Sequence, residues 1–525
     1  MADPENNQSN SVETAINTTE AHFKSAAECL ISQPLPSCTI VIFGASGDLT
    51  SRKLIPALFN LFINRSLPKT FSIVGCSRSE MTHETFRVNM NSACSGLKCS
   101  PGDWDRFAEN LFYVPVQYDS NESFTNLATF LTDLDRKKDT RGNRMFYLAI
   151  PPTLYPGVSQ MIGQAGLAIE NQSENGWARI VVEKPFGRNL ATALELDRIL
   201  HSNFKEHQIF RIDHYLAKET VQNILMLRFA NAIFEPIWKR NYIDYVGIIA
   251  AETLGVEHRA GYYEQAGVLR DMFQNHMKQL LALTAMEPPS IFQADRVRDE
   301  KAKVFRSLRP FTKGTVRENL ILGQYGAGEV DGKKVPAYRA EPGVAKDSTT
   351  PTFGLMRLFV DNWRWHGVPF YLASGKRLKA KDTRIVIQFK EVPHSLFREL
   401  LGDSIIANRL NLGIYPEEKI SLTFQTKSPG ARVCLRSVTM DFNYHQNYSG
   451  PQLDAYEKVL LDCILGDHML FWRQDGVELA WSFLEPVLDE CEACGGMEDI
   501  LQNYPSGSWG PDSAHEWMRL ILGEC

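Results

Sequence analysis

No hydrophobic run in these 525 residues approaches the roughly 20 residues that a membrane-spanning helix needs, and the N-terminus lacks the apolar core of a signal segment. The expectation is a water-soluble, cytoplasmic protein with no membrane partner. An excess of one charge sign is missing too: 56 Lys and Arg against 62 Asp and Glu leave a net charge of -6. That balance argues against broad nucleic-acid binding and for a small partner. Cysteine spacing of the metal-binding kind is nearly absent. Ten cysteines are scattered along the chain, and only Cys491 and Cys494 stand in a C-x-x-C arrangement. Without a second ligand pair, free thiols in a reducing compartment are the simpler reading, and no metal is expected. Internal repeats are lacking, and so is low complexity beyond the N-terminal stretch.

What is present is ordinary globular material, 44% hydrophobic and 22% charged, long enough for two or three domains with sizeable cores. Residues 1–36 are rich in Asn, Ser, Thr and Glu and read as a disordered tail, with at most a short docked helix around Glu20 to Leu30. From Cys38 the texture changes. Cys38 to Phe43 is a continuous apolar run ending in glycine, as expected of a strand buried on both faces of a parallel sheet. Leu54, Leu58 and Leu61 mark one face of a following helix. Further strands are expected at Phe71 to Val74, Met145 to Ile150 and Ala178 to Val182, each after helical pattern. Alternation of this kind predicts a doubly wound parallel sheet over residues 37–212. After about residue 240, Thr383 to Phe389 and Lys419 to Phe424 alternate apolar and polar, as half-buried antiparallel strands do. Residues 213–525 are therefore expected to form a larger α+β domain.

Gly44-Ala45-Ser46-Gly47-Asp48-Leu49 stands between the first strand and the first helix. Glycine there lets backbone approach a pyrophosphate, and a helix N-terminus offers unpaired N–H groups to negative charge. The pattern is weaker than G-x-G-x-x-G, since Ser46 and Leu49 replace the second and third glycines, and a ligand-free turn has the same look. The second strand runs out into Gly75-Cys76-Ser77-Arg78 with no carboxylate for ribose hydroxyls. Arg78 suits a phosphate on that ribose, which favours NADP over NAD; a solvated loop arginine is the bland alternative.

Val181-Val182-Glu183-Lys184-Pro185-Phe186-Gly187 puts Lys184 at the ligand-binding edge of a parallel strand, before a proline that makes a cis bond conceivable. Arg211-Ile212-Asp213-His214-Tyr215-Leu216-Ala217-Lys218-Glu219 packs imidazole, phenol, ammonium and carboxylate groups together. His214, Tyr215 and Lys218 suit a phosphate monoester, and Val221, Leu225 and Phe229 continue as an amphipathic helix. Downstream, Gly261 to His276 carries a second dense polar set. His276 has the ionisation range of a general base, yet its helical setting fits a satisfied core histidine as well. Asp271 precedes it by five positions, about 140° around an α-helix at 100° per residue. An orienting carboxylate is therefore expected from elsewhere.

These segments, with Asp361-Asn362-Trp363-Arg364-Trp365, Ser374-Gly375-Lys376 and Gly507-Ser508-Trp509-Gly510-Pro511, make the chain resemble the glucose-6-phosphate dehydrogenase family from about Cys38 onward. The resemblance implies a Rossmann-like coenzyme domain, a substrate domain with a mostly antiparallel sheet, and a homodimer or homotetramer. It also implies oxidation of D-glucose 6-phosphate to 6-phospho-D-glucono-1,5-lactone with hydride transfer to NADP, the first step of the oxidative pentose phosphate pathway. Residue by residue, it implies His276 as base and Asp213 as its orienting partner. His214, Tyr215 and Lys218 would hold the substrate phosphate, Glu252, Asp271, Lys376 and Lys381 would contact the sugar, and Lys184 would bridge sugar and nicotinamide. Gly44, Ser46, Gly47, Asp48, Leu49, Arg78 and Tyr147 would surround the coenzyme.

Two departures stand out. Ala217 replaces a glycine usual in the family, and Ala373 replaces an arginine that animal members associate with a second, structural NADP. The segment Ser92 to Pro101 has no clear family counterpart. Two alternatives accompany the main reading: a catalytically silent regulatory or assembly relative, against which the intact Asp213, His214 and His276 stand, and a dehydrogenase of another hexose phosphate.

Overall fold

The computed structural model describes residues 35–170, 176–312, 314–397, 405–430, 434–444, 446, 452–492 and 500–523. The expected tail and its short helix, and Cys494 of the cysteine pair, lie outside the described residues.

Six strands build the first sheet: β1 (Cys38–Phe43), β2 (Phe71–Ser77), β3 (Leu111–Pro115), β4 (Arg144–Leu148), β5 (Ala178–Val182) and β6 (Ile209–Arg211). Their order is β3-β2-β1-β4-β5-β6, and every neighbouring pair is parallel. All residues of β1 and β2 are buried, because helices cover both sheet faces. The chain reverses direction across the sheet between β1 and β4, and there an open α/β sheet leaves a crevice at its carboxyl edge. Leu54, Leu58 and Leu61 are fully buried beneath this sheet. The helix they belong to opens as a π-turn over Thr50–Leu54 and becomes α-helical over Ile55–Ile63.

The second sheet is formed by β7 (Ile243–Ala251), β8 (Leu320–Gly326), β11 (Phe353–Phe359), β12 (Pro369–Gly375), β13 (Asp382–Phe389), β14 (Arg409–Tyr415), β15 (Lys419–Lys427), β16 (Leu435–Asn443) and β17 (Leu501–Pro505). Between β8 and β11 a separate hairpin pairs β9 (Gly328–Val330) with β10 (Lys333–Val335). The nine strands run β16-β15-β14-β13-β7-β12-β11-β8-β17, parallel only at β7/β12 and β8/β17. Strand β7 shows why the sheet centre is apolar throughout. Val246, Ile248 and Ala250 join the core that contains Met272 and Phe273, while Tyr245, Ile249 and Ala251 pack with Met518 and Ile521 of the C-terminal helix. Covered on both faces, the centre does not alternate. The half-buried character expected of Thr383 to Phe389 is accordingly lost at Ile385, Val386 and Ile387, all inaccessible to solvent. Nor does the alternation expected of Lys419 to Phe424 hold at the β15/β16 margin, where Ser421 is buried, Ile420, Leu422 and Phe424 are only partly so, and Met440 and Phe442 are exposed.

Helices Ala455–Leu465 and Gln474–Glu492 lie between β16 and β17 in sequence but return to the coenzyme sheet. Asn60 donates to Glu457 (2.6 Å), Arg179 to the carbonyls of Cys463 and Ile464 (2.6 Å each), and the Trp481 indole to the Phe186 carbonyl (2.9 Å). The two sheets are thereby clasped around the crevice between them.

Candidate active site

Leu269–Met277 is a π-helix, entered through Gly267 at φ 56°, ψ -179° and followed directly by the α-helix Lys278–Ala285. In a π-helix the hydrogen bonds run between residues five apart. Asp271 and His276 therefore fall on one side instead of the 140° apart expected for α-geometry, and both reach the same ammonium. Lys184 Nζ lies 3.1 Å from Asp271 Oδ1 and 2.8 Å from His276 Nε2. Lys184 itself stands just past β5, before a cis bond to Pro185.

The orienting carboxylate does come from elsewhere. After β6 the chain turns through Asp213, and Asp213 Oδ1 lies 2.5 Å from His276 Nδ1 while also accepting the Tyr215 N–H at 3.1 Å. A carboxylate only accepts, so Nδ1 carries the proton and leaves Nε2 with its lone pair toward Lys184. Tyr215 stacks on the His276 ring, centroids 4.1 Å apart, and the His214 ring stands edge-on to it at 4.9 Å. His276 and Asp213 are 1% and 3% exposed, so the pair works in a low dielectric.

Burial raises the Asp213 carboxyl, but His276, His214 and Lys184 outweigh it and hold it below the usual carboxylate range. Asp271 shows the same balance, with Lys184, Lys376 and Arg259 overcoming burial. Burial pushes the His276 imidazolium down against the pull of Asp213, and Lys184 pushes the same way. His276 is thus neutral near pH 7, as a base must be. Burial, with His276 and Lys184, takes His214 down to about 3.

A cationic corner lies beside this pair. Lys218 caps the helix Glu219–Phe229, its ammonium 4.3 Å from the Tyr215 ring and 5.4 Å from the Tyr415 ring. Lys381 approaches the Tyr415 ring at 4.2 Å. Two ammonium groups gathered on one phenol suit a phosphate dianion. Burial and the charge of Lys381 lower the Lys218 ammonium below its ordinary range. On the far side Lys376 pairs with Glu252 (2.5 Å) over the Tyr263 ring, and Tyr262 donates to Asp271 at 3.1 Å. Sequence reasoning missed Tyr415 and gave Tyr262 and Tyr263 no role. Only the density of polar groups around Gly261 to His276 pointed at the latter two.

Ala217 is buried in the turn before the helix. Positive φ among described non-glycine residues occurs at Arg65, Asp139, Arg141, Glu257, Asp331 and Arg377, so the backbone at 217 does not demand glycine. Ala373 is fully buried on β12 between Leu355 and Ile249.

At the coenzyme end Gly44 has φ +87°, and a Cβ on it would stand 2.1 Å from the Ala149 carbonyl oxygen. Glycine is required by the approach of β1 to the chain after β4. The first helical turn leaves the N–H groups of Asp48 and Leu49 without intrahelical acceptors, aimed where Gly44, Ser46 and Gly47 form the turn. Arg78 follows β2 directly, exposed, 5.9 Å from the Tyr118 ring. The expected set therefore fits a 2′-phosphorylated dinucleotide, with one correction. Tyr147 is wholly buried within β4 and donates its hydroxyl to Glu183 at 2.6 Å, so its side chain packs the sheet and does not line the crevice.

Asp213, His214 and His276 place donor atoms within 4.8 Å of one another, as do Asp197, His201 and Glu206. In the first group Lys184 already holds a positive charge at Nε2; in the second the Arg211 guanidinium pairs with both carboxylates. Both arrangements are charge-compensated without a metal.

Residues 41–223 match the family model described as glucose-6-phosphate dehydrogenase, NAD binding domain, and residues 225–520 the model for the C-terminal domain of the same family. The chain is 47% identical to a glucose-6-phosphate 1-dehydrogenase of Aggregatibacter actinomycetemcomitans, covering 91% of this chain and 95% of that protein. It is 41% identical to one of Bacillus subtilis, covering 92% and 97%. Among solved structures it is similar to a glucose-6-phosphate dehydrogenase in complex with glucose 6-phosphate, with a TM-score of 0.84, 33% identity and coverage of 94% and 99%. A glucose-6-phosphate 1-dehydrogenase of Mycobacterium avium aligns with a TM-score of 0.77 at 32% identity, covering 93% and 98%.

Proposed function

The chain belongs to the glucose-6-phosphate dehydrogenase family, and from that premise we propose how its residues divide the oxidation of D-glucose 6-phosphate to 6-phospho-D-glucono-1,5-lactone. NADP, when bound, supplies the acceptor for the hydride that leaves the anomeric carbon. What remains for the protein is to fix donor against acceptor and remove one proton. His276 Nε2 takes that proton from the anomeric hydroxyl, which enters the position Lys184 Nζ holds at 2.8 Å. Asp213 keeps Nδ1 protonated and stabilises the imidazolium as it forms, so the base need not reorient during the step. The hydroxyl's electron pair becomes the lactone carbonyl, and the proton stays on His276 until product leaves.

His214, Tyr215 and Lys218 bind the substrate phosphate beside Tyr415, and Lys381, which the resemblance assigned to the sugar, joins Lys218 at that ring instead. Glu252, Asp271 and Lys376 hold the sugar hydroxyls, and Lys184 moves from base to sugar as substrate arrives. Ser46, Asp48 and Leu49 receive the pyrophosphate on backbone N–H groups, Gly44 and Gly47, whose own N–H groups are bonded to the Cys76 and Gly44 carbonyls, let the chain approach it, and Arg78 receives the ribose phosphate. The observation that carries this reading is the continuous chain Asp213–His276–Lys184–Asp271, whose links measure 2.5, 2.8 and 3.1 Å.

A division between coenzyme and substrate domains at 212/213 is supported by the end of the first sheet at Arg211. Exposed Met440 and Phe442 on the β15/β16 margin support assembly through that sheet into a homodimer, or a homotetramer of two such pairs. The unpaired thiols Cys38, Cys76, Cys94, Cys99, Cys434, Cys463 and Cys491 support a reducing, cytoplasmic setting. Initial rates with glucose 6-phosphate, against NADP and then NAD, test the reading at once. Rapid NADP reduction is expected, and no turnover with either coenzyme would overturn it.

A further inference from the structure

Behind the base pair lies a charged group that the reaction scheme does not use. Lys301 belongs to the helix Ala294–Arg306, is 3% exposed, and its ammonium has no hydrogen-bond partner among the described residues. On the active-site side Asp213 spends Oδ1 on His276 and on the Tyr215 N–H, while its buried Oδ2 also has no partner. The helix reaches this stretch of chain through Trp472. Phe305 stacks on Trp472 with centroids 5.6 Å apart, and the Trp472 backbone N–H donates to the Arg211 carbonyl at 3.1 Å, two residues before Asp213. A buried ammonium and a buried carboxylate oxygen, each without a hydrogen-bond partner among the described residues, thus belong to segments joined through Trp472. Each is expensive there unless the other's charge compensates it.

We propose that Lys301 is a positioning residue for the His276–Asp213 pair: its buried cation faces the unbonded side of Asp213, keeping that carboxylate ionised and its Oδ1 turned to His276. The proposal rests on the assignment of His276 as base. The other charges on Asp213 are those of His276, His214 and Lys184; those on Lys301 are Asp213, with Arg298 on its own helix and Arg473 on the segment before Gln474–Glu492. Lys278, on the adjoining helix, is turned away and donates to the Ala480 carbonyl. Burial brings the Lys301 ammonium down to about 7, with Asp213 opposing the fall. Its charge is therefore present on the acid side of neutrality and fades above it.

The sign of the expected effect follows. A cation beside Asp213 weakens the dyad's hold on a proton, so removing it raises the pH at which His276 becomes protonated. Lys301→Met should move the acid limb of the kcat/KM profile for glucose 6-phosphate upward by about one pH unit, the low end for a nearby opposite charge. Rates below the limb should fall about tenfold, and the two profiles should converge at alkaline pH. Lys301→Arg should restore the native limb. NADP dissociation constants should not change, and the melting temperature of the Met variant should fall while Lys301→Arg restores it, because removing one partner leaves the buried Asp213 charge less compensated. A native acid limb in Lys301→Met overturns the proposal. So does a general loss of coenzyme binding and rate together, which would mark a structural role only. His276→Asn run alongside separates the two failures. If it collapses turnover while Lys301→Met keeps a native limb, only the role of Lys301 falls; near-normal turnover in His276→Asn removes the base assignment and this proposal with it.

Discussion

At the substrate end, Asp213, Asp271 and His276 are buried and, with the half-buried Lys184, already bonded to one another. At the coenzyme end, Gly44 to Leu49 offers mainly backbone, and Arg78 stands exposed beside a single aromatic ring. The contrast follows from what each end must do. Taking a proton from a sugar hydroxyl needs a base fixed in tautomer and direction, which only a packed, low-dielectric surround provides. Holding a dinucleotide needs N–H groups and a positive charge at an accessible crevice, which helix termini and a loop arginine supply cheaply. Substitutions at the substrate end should therefore act on kcat and phosphosugar binding by large factors, and those at the coenzyme end on dinucleotide choice by smaller ones.

The largest effect expected after loss of the base itself is that of Asp213→Asn. An amide at this position can donate to Nδ1, which forces the proton onto Nε2 and disables the base. Turnover should fall by roughly 10²- to 10⁴-fold, the range for general base catalysis, with the glucose 6-phosphate dissociation constant little changed in titration. Lys218→Ala should raise KM for glucose 6-phosphate by about 1.5–3 kcal/mol equivalent, the worth of a charge-assisted bond. KM for NADP should move far less in the same steady-state assays, and an unmoved phosphosugar KM would take Lys218 out of the phosphate corner. Arg78→Ala should weaken NADP by about 1.5 kcal/mol, the lower end of that range because the side chain is exposed, and leave NAD almost untouched. Equal losses for both coenzymes would erase the contrast between the two ends. Ala217→Gly should be the smallest change. With no positive φ to relieve, glycine adds only chain entropy and costs about 0.5–1 kcal/mol in denaturant titration, with kcat and KM unaltered.

Much of the first sheet was legible because strands buried on both faces announce themselves as unbroken apolar runs, as in Cys38 to Phe43. Strand β3 was passed over although Leu111 to Val114 is itself an apolar run, and β6 is only three residues long and ends on a charged arginine. The site's members were readable one by one as dense polar clusters. Their grouping was not, since the π-helix of Leu269–Met277 has no compositional signature and changes which residues share a side. Long-range choices were equally hidden. Nothing near Tyr415 in the chain signals that its ring gathers Lys218 and Lys381, and nothing in Tyr147 tells a coenzyme contact from a hydroxyl bonded to Glu183 inside the sheet. The return of Ala455–Leu465 and Gln474–Glu492 to the coenzyme sheet is a tertiary decision, set by partners such as Asn60 and Arg179 nearly three to four hundred residues earlier.

The account turns on His276 as the base that Asp213 holds in place. Measuring kcat and the glucose 6-phosphate dissociation constant for His276→Asn tests it most directly. Turnover reduced by roughly 10²- to 10⁴-fold with binding preserved is the predicted result; near-normal turnover, or loss confined to substrate binding, would contradict it.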